Sequence, residues 1–215
     1  MKQFKRIFNS GFIIAFYVIG LLGFAIPYTR GFFISITPVS LVFVFFLILF
    51  VHRPFSLNLI IALVVTALAG FAVEVAGVDS GRLFGQYHYG EVLGPKLLNT
   101  PLLIGFNWAM LIFCALAIAQ SIKAPPLIQV LLVALLMTGY DLALEPFAIK
   151  TSMWSWSTGI PPVKNYIAWF VISLILAALW ITLRVKVKSN LAVVLFFSQI
   201  MFFILSVLLI NLIQL

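Results

Sequence analysis

Residues 126–148 read PLIQVLLVALLMTGYDLALEPFA, and this stretch decides the fold. It is apolar and continuous, and it exceeds the ~20 residues that carry a helix across a ~30 Å hydrocarbon core. Only helices or closed barrels satisfy their backbone in lipid, and this run does not alternate as a barrel strand would. Six more runs of the same kind surround it, at 7–27, 32–51, 57–76, 101–120, 165–183 and 191–213. The chain therefore reads as all-α, a polytopic transmembrane bundle of about seven helices. One transmembrane domain fills residues 1–215.

Composition agrees. Hydrophobic residues make up 64% and charged residues 8%, with a mean hydropathy of +1.23. A soluble domain carries about 25% charged residues. The net charge of +8 raises nucleic acid as a partner. The positive residues are spread near span ends and build no basic patch, so nucleic acid is set aside. Lys2, Lys5 and Arg6 open the chain as a signal peptide would. The run behind them is longer than a ~7–15-residue signal core, and it reads as a retained first span. The one cysteine, Cys114, lies mid-span and reads as a small core residue.

Lysine and arginine set the orientation. With the N-terminus inside, the cytoplasmic face carries Lys2, Lys5, Arg6, Arg53, Lys123, Arg184, Lys186 and Lys188. The other face carries Arg30, Arg82, Lys96, Lys150 and Lys164. The excess favours N-in and C-out in the inner or plasma membrane. Short connections at 28–31, 52–56 and 121–125 make neighbouring helices antiparallel.

The acids are all confined to the middle of the chain: Glu74, Asp79, Glu91, Asp141 and Glu145. Glu74, Asp141 and Glu145 fall in apolar runs, where an ionisable residue is by default a candidate for function. Asp141 and Glu145, four apart, share one helix face. Pro146 should kink or end that helix and free a carbonyl beside the acids. Glu74 and the Asp141–Glu145 pair lie toward the same face of the membrane, and the loops 77–100 and 149–164 emerge there too. Acids sharing one apolar pocket cannot all ionise cheaply, and a retained proton is what a general acid needs. The plain alternatives are interfacial helix ends and ion pairs, with Arg82 for Glu74 and with Arg82 or Lys150 for the others.

The first loop holds GRLFGQYHYGEVLG at 81–94, and the second leads into MWSWSTGIPPVKNY at 153–166. The glycines fit no dinucleotide or phosphate loop. Tyr87, Tyr89, Trp154 and Trp156 suit either a membrane-interface belt or a folded loop packed on the membrane. Asn107 and Trp108 lie inside the fourth run, and Asn99 opens it. A buried Asn there is interhelical glue, or it holds a water or orients a carboxyl. His52 and His88 lack metal-site spacing, and no metal is expected.

These two blocks resemble a family. The run Glu74…Gly81-Arg82-Leu83-Phe84-Gly85-Gln86-Tyr87-His88-Tyr89…Pro101-Leu102…Asn107-Trp108 is similar to the integral-membrane carotenoid 1,2-hydratases. So is Asp141-Leu142-Ala143-Leu144-Glu145-Pro146…Trp154-Ser155-Trp156…Pro161-Pro162-Val163-Lys164-Asn165-Tyr166…Trp169. Gamma-carotene 1'-hydroxylases of bacteria and bisanhydrobacterioruberin hydratases of haloarchaea belong to that family. The resemblance implies addition of water to the terminal C1–C2 double bond of an acyclic carotenoid, giving a tertiary alcohol without redox chemistry or a cofactor. It implies Asp141, Glu145 and Glu74 as the catalytic group. Arg82, Tyr87, Tyr89, Asn107, Trp108, Trp154, Trp156 and Asn165 are then the substrate-binding candidates. Expected partners are a carotenoid and membrane lipid, with a second copy or other carotenoid enzymes as candidate protein partners.

Residue chemistry points the same way. Alkene hydration needs a strong proton donor, π faces for a tertiary cation, and a held water. Two other classes stay open: a membrane lycopene cyclase-like end-group enzyme, and a non-enzymatic transporter or assembly protein. Cyclase acids follow a proline, whereas here Glu145 precedes Pro146.

Overall fold

The computed structural model describes residues 7–52 and 55–213. Lys2, Lys5, Arg6 and Arg53, which enter the orientation count, lie outside the described residues.

The architecture is an all-α bundle. Its helices are α1 Ser10–Ala25, α2 Pro27–Ser35, α3 Thr37–His52, α4 Leu57–Ser80, α5 Leu103–Ser121, α6 Pro126–Lys150, α7 Val163–Thr182 and α8 Asn190–Ile213. The helices α4 to α8 are each long and apolar enough to span a bilayer. The first two expected spans take a different form. At 16 residues α1 covers about 24 Å, short of a full crossing. The second run is broken: α2 and α3 meet at Ile36 with a bend of 58°. Residues 28–31 are therefore helix rather than a connection. Each break has a proline behind it. Pro27 occupies the first turn of α2 and Pro38 that of α3, where the missing N–H costs nothing. Arg30 folds back to cap the open end of α1, with Nε donating to the carbonyl of Phe24 at 2.9 Å.

The axis of the bundle is α5. It packs against α3, α4, α6, α7 and α8, and every residue from Trp108 to Ala119 is buried, Cys114 included. A helix apolar all round belongs in such a place. Close approach to α4 depends on Gly70, where a Cβ would lie 2.6 Å from the Trp108 side chain. The far end of the bundle is tied by Gln120 of α5, which donates to the Val185 carbonyl and accepts from the Val187 N–H. Trp180 of α7 donates to Thr66 of α4 at 2.7 Å inside the core.

The loops contain strands that the hydropathy pattern does not announce. Strand β1 (Tyr87–Tyr89) pairs antiparallel with β4 (Trp154–Trp156), so Tyr87 faces Trp156, His88 faces Ser155 and Tyr89 faces Trp154. Gly90 lets the ladder continue, since a Cβ there would lie 2.0 Å from the Ser152 carbonyl oxygen. Between them, β2 (Lys96–Leu97) and β3 (Thr100–Pro101) form a tight hairpin. Asn99 does not open α5. It sits in the hairpin turn with Leu98, both at positive φ, as the mirror-image turn requires. The β1–β4 ladder fixes both loops at one end of the bundle.

Helix α6 does not stop at Pro146. It runs on to Lys150, with Pro146 on its exposed side.

Candidate active site

Beneath the β1–β4 ladder lies a cavity of about 340 Å³. Every candidate residue except Arg82 lines it: Glu74 from α4, Tyr87 and Tyr89 from β1, Asn107 and Trp108 from α5, Asp141 and Glu145 from α6, Trp154 and Trp156 from β4, and Asn165 from α7. Arg82 is exposed on the loop after α4. Its place outside the cavity follows from Gly81, whose left-handed turn ends α4 and sends the chain outward.

The ladder explains how two distant loops reach two glutamates. Side chains alternate across a strand, so Tyr87 and Tyr89 share a face and His88 takes the other. Tyr87 and Tyr89 are buried, and both hydroxyls donate to Glu74 Oε2 at 2.7 Å. Opposite them, Trp154 and Trp156 share the matching face. Both indole N–H groups donate to Glu145 Oε2, at 3.1 and 2.9 Å. His88, on the outer face, hydrogen-bonds Ser155 at 2.8 Å. Burial and the nearby Glu74 carboxylate push the phenols of Tyr87 and Tyr89 well above the usual tyrosine range. Both stay donors at any working pH.

The three carboxyls differ in how far their oxygens are committed. Glu74 accepts from three donors, the third being Trp108 Nε1 at 3.1 Å on Oε1. Glu145 accepts from the two tryptophans on one oxygen. Asp141 accepts from Asn165 Nδ2 alone, at 2.6 Å on Oδ2, and its Oδ1 has no partner among the described residues. All three are at most 4% exposed. Among the described residues the only ion pair is Lys96–Glu91 at 2.7 Å, on the loop surface. The carboxyls are thus held by neutral donors, and neither Arg82 nor Lys150 pairs with them. Also among the described residues, no group of three His, Cys, Asp or Glu is placed to hold a metal ion.

The rest of the wall is apolar and aromatic. Trp169 of α7 stacks on Trp108 at 4.3 Å between centroids, and both line the cavity. The broken span contributes too, through Phe33, Ile36, Thr37 and Ser40. The arrangement offers a proton source, several π faces and an apolar volume for a hydrocarbon end.

The profile of the family described as carotenoid biosynthesis protein matches residues 32–215. The chain belongs to this family. Among curated proteins it is similar to the bisanhydrobacterioruberin hydratase of Haloarcula japonica, 28% identical over 125 residues. That match covers 52% of this chain and 41% of the hydratase, so the chain spans less than half of that relative's length. No solved structure matches the chain.

This carotenoid biosynthesis protein, with its five long apolar helices, is a membrane protein. Its cavity also holds Tyr17, Tyr140 and Gln199, which sequence reading passed over, and Trp169, which it quoted in the second block without a site role. The one signal for Gln199 was a polar amide midway along the last apolar run, 191–213, where the other amide, Asn211, lies near the end. Asn107 was singled out, and its Oδ1 is buried with no hydrogen-bond partner among the described residues. A buried acceptor left open in this way calls for a ligand or a water.

Proposed function

We propose that the protein adds water across the terminal C1–C2 double bond of an acyclic carotenoid end group of the lycopene or gamma-carotene type. The product is a tertiary 1-hydroxy carotenoid, and the enzyme is a hydro-lyase run in the hydration direction. One observation carries the reading: a mostly apolar cavity lined by three buried carboxyls that only neutral donors hold.

The roles follow from hydrogen-bond accounting. Asp141 is the general acid, because it has the fewest donors and an oxygen left to carry the proton. Glu74 is the fixed anion of the group, since three donors occupy its oxygens. Glu145 sits one turn from Asp141 and tunes it. Protonation at C2 leaves a tertiary cation at C1, and the faces of Trp108, Trp169 and Trp156 stabilise it. Asn107 Oδ1 accepts a hydrogen from the water that ends the reaction. The similarity to a named hydratase supports this chemistry over cyclisation.

Purified protein in detergent should convert an acyclic carotenoid with no added nucleotide, metal or oxygen. The product should gain the mass of one water, with its oxygen drawn from labelled water. Oxygen drawn from the gas would end the hydratase reading, and an unchanged mass with a shifted spectrum would indicate a cyclase.

The orientation belongs to the same proposal: N-in, C-out in the inner or plasma membrane, with the ladder on the non-cytoplasmic side. Ser80 and Ser157 are exposed beside the ladder. Cysteines placed there should react with an impermeant reagent in intact cells. Reaction only after permeabilisation reverses the orientation.

A further inference from the structure

Tyr17 of α1, Gln199 of α8 and Tyr140 of α6 form a hydrogen-bonded chain in the cavity wall. Tyr140 Oη donates to Gln199 Oε1 at 3.1 Å, and Gln199 Nε2 donates to Tyr17 Oη at 2.9 Å. All three line the cavity, and none of them hydrogen-bonds a carboxyl of the acid group among the described residues. Their surroundings are aromatic: Tyr17 meets Phe202 edge-on, and Tyr140 packs on Phe196 and Phe203. The acid group has no use for them.

Counting donors gives the chain a direction. The amide oxygen accepts from one tyrosine, and the amide N–H donates to the other. That second tyrosine is an acceptor, so its own O–H is left over. Turning the amide over exchanges the two tyrosines and leaves the count unchanged. As placed, the spare donors are the Tyr17 hydroxyl, which has no acceptor among the described residues, and the second N–H of Gln199 beside it. A hydrocarbon end group has no lone pair to offer them. Across the same cavity, Asn107 Oδ1 is an acceptor that no described donor meets. A buried water takes two to four polar partners, and here one wall donates while another accepts.

We propose that the Tyr17–Gln199–Tyr140 chain is the water station of the cavity, with Tyr17 donating to the oxygen that becomes the product hydroxyl. The inference rests on the hydratase reading. The carboxyl proton goes to C2, and the π pair forms the new C–H bond. A lone pair of the water then closes the C1–O bond. The oxonium passes its extra proton to the carboxylate left behind, so one water is consumed and the acid is restored. Gln199 and Tyr140 are positioning residues that aim Tyr17.

The test compares wild type, Tyr17→Phe and Gln199→Leu in heavy water, with an all-hydrocarbon acyclic carotenoid and, in a second arm, with one that already bears a hydroxyl group. Two quantities are read: the alcohol formed, and deuterium in the carotenoid recovered unhydrated. A cation that finds no water gives back a proton and returns to alkene, marked by the deuterium it gained. Both variants should form alcohol about tenfold more slowly, the worth of one hydrogen bond, while exchange holds or rises. A parallel fall in both quantities makes the chain structural and overturns the proposal, as does unchanged hydration. An effect confined to carotenoids that already bear oxygen moves the station to that oxygen and overturns the water assignment. If the hydratase reading itself is wrong, wild type forms no alcohol, whatever deuterium the recovered carotenoid carries.

Discussion

Asp141→Asn should abolish turnover and leave the folded protein and its carotenoid binding intact. The amide keeps an oxygen toward Asn165, which donates at 2.6 Å, so the contact between α6 and α7 survives. What it loses is the acidic proton. A directly acting acid is worth ~10²–10⁴-fold, and here no other group replaces it. Glu74 is not a substitute, because its oxygens are already taken by Tyr87, Tyr89 and Trp108. Glu145→Gln should be milder, since its second oxygen is uncommitted and its role is to tune. Product formation by the amide variants, normalised to folded protein, is the measurement. Near wild-type activity in Asp141→Asn with a dead Glu74→Gln would move the acid to Glu74 and make the α6 pair structural.

Glu74→Leu should be the most destabilising single change in the site. It strands two phenol hydroxyls and one indole N–H in a buried, apolar setting. Each stranded donor costs about 1–3 kcal/mol. The sum is not additive, and about 4–5 kcal/mol puts the variant among exceptional single mutations. Glu74→Gln should cost about 1–3 kcal/mol, because a carboxamide has one oxygen for three donors and at least one is left unmet. Thermal unfolding in detergent reads both effects. An unchanged midpoint in Glu74→Leu would mean that the ladder holds its tyrosines without the carboxylate.

The bundle was legible in hydropathy, because an apolar run of twenty residues has few alternatives in lipid. Its finer form was less so. Pro27 closed the first run and Pro38 lay inside the second, read as one span, whereas each proline starts a helix of its own. Pro146 shows the reverse: its neighbours on α6 hold the helix past a residue that should break it. The acids stood out because charge in lipid is costly. Their partners were not legible: a cation stood only as the plain alternative, and the structure supplies tyrosine and tryptophan to the two glutamates. Neutral donors bring no second charge to desolvate, which suits a site that has to hold a proton. The YHY and WSW triplets contained the strand alternation, but three residues are too few to tell a ladder from a membrane-interface belt. Gln199 and Tyr17 went unread because an amide or a phenol in an apolar helix marks a polar position without naming its partners, and those meet only where three helices come together.

The pairing of β1 with β4 has a bearing on how the site opens. Both glutamates take donors from one two-stranded ribbon, Glu74 from its first strand and Glu145 from its second. Neither can be uncovered while the other stays covered. Lifting the ribbon would strip four donors at once and expose both carboxyls together. Amide protons along 87–90 and 153–157 should therefore exchange with solvent as one unit rather than residue by residue.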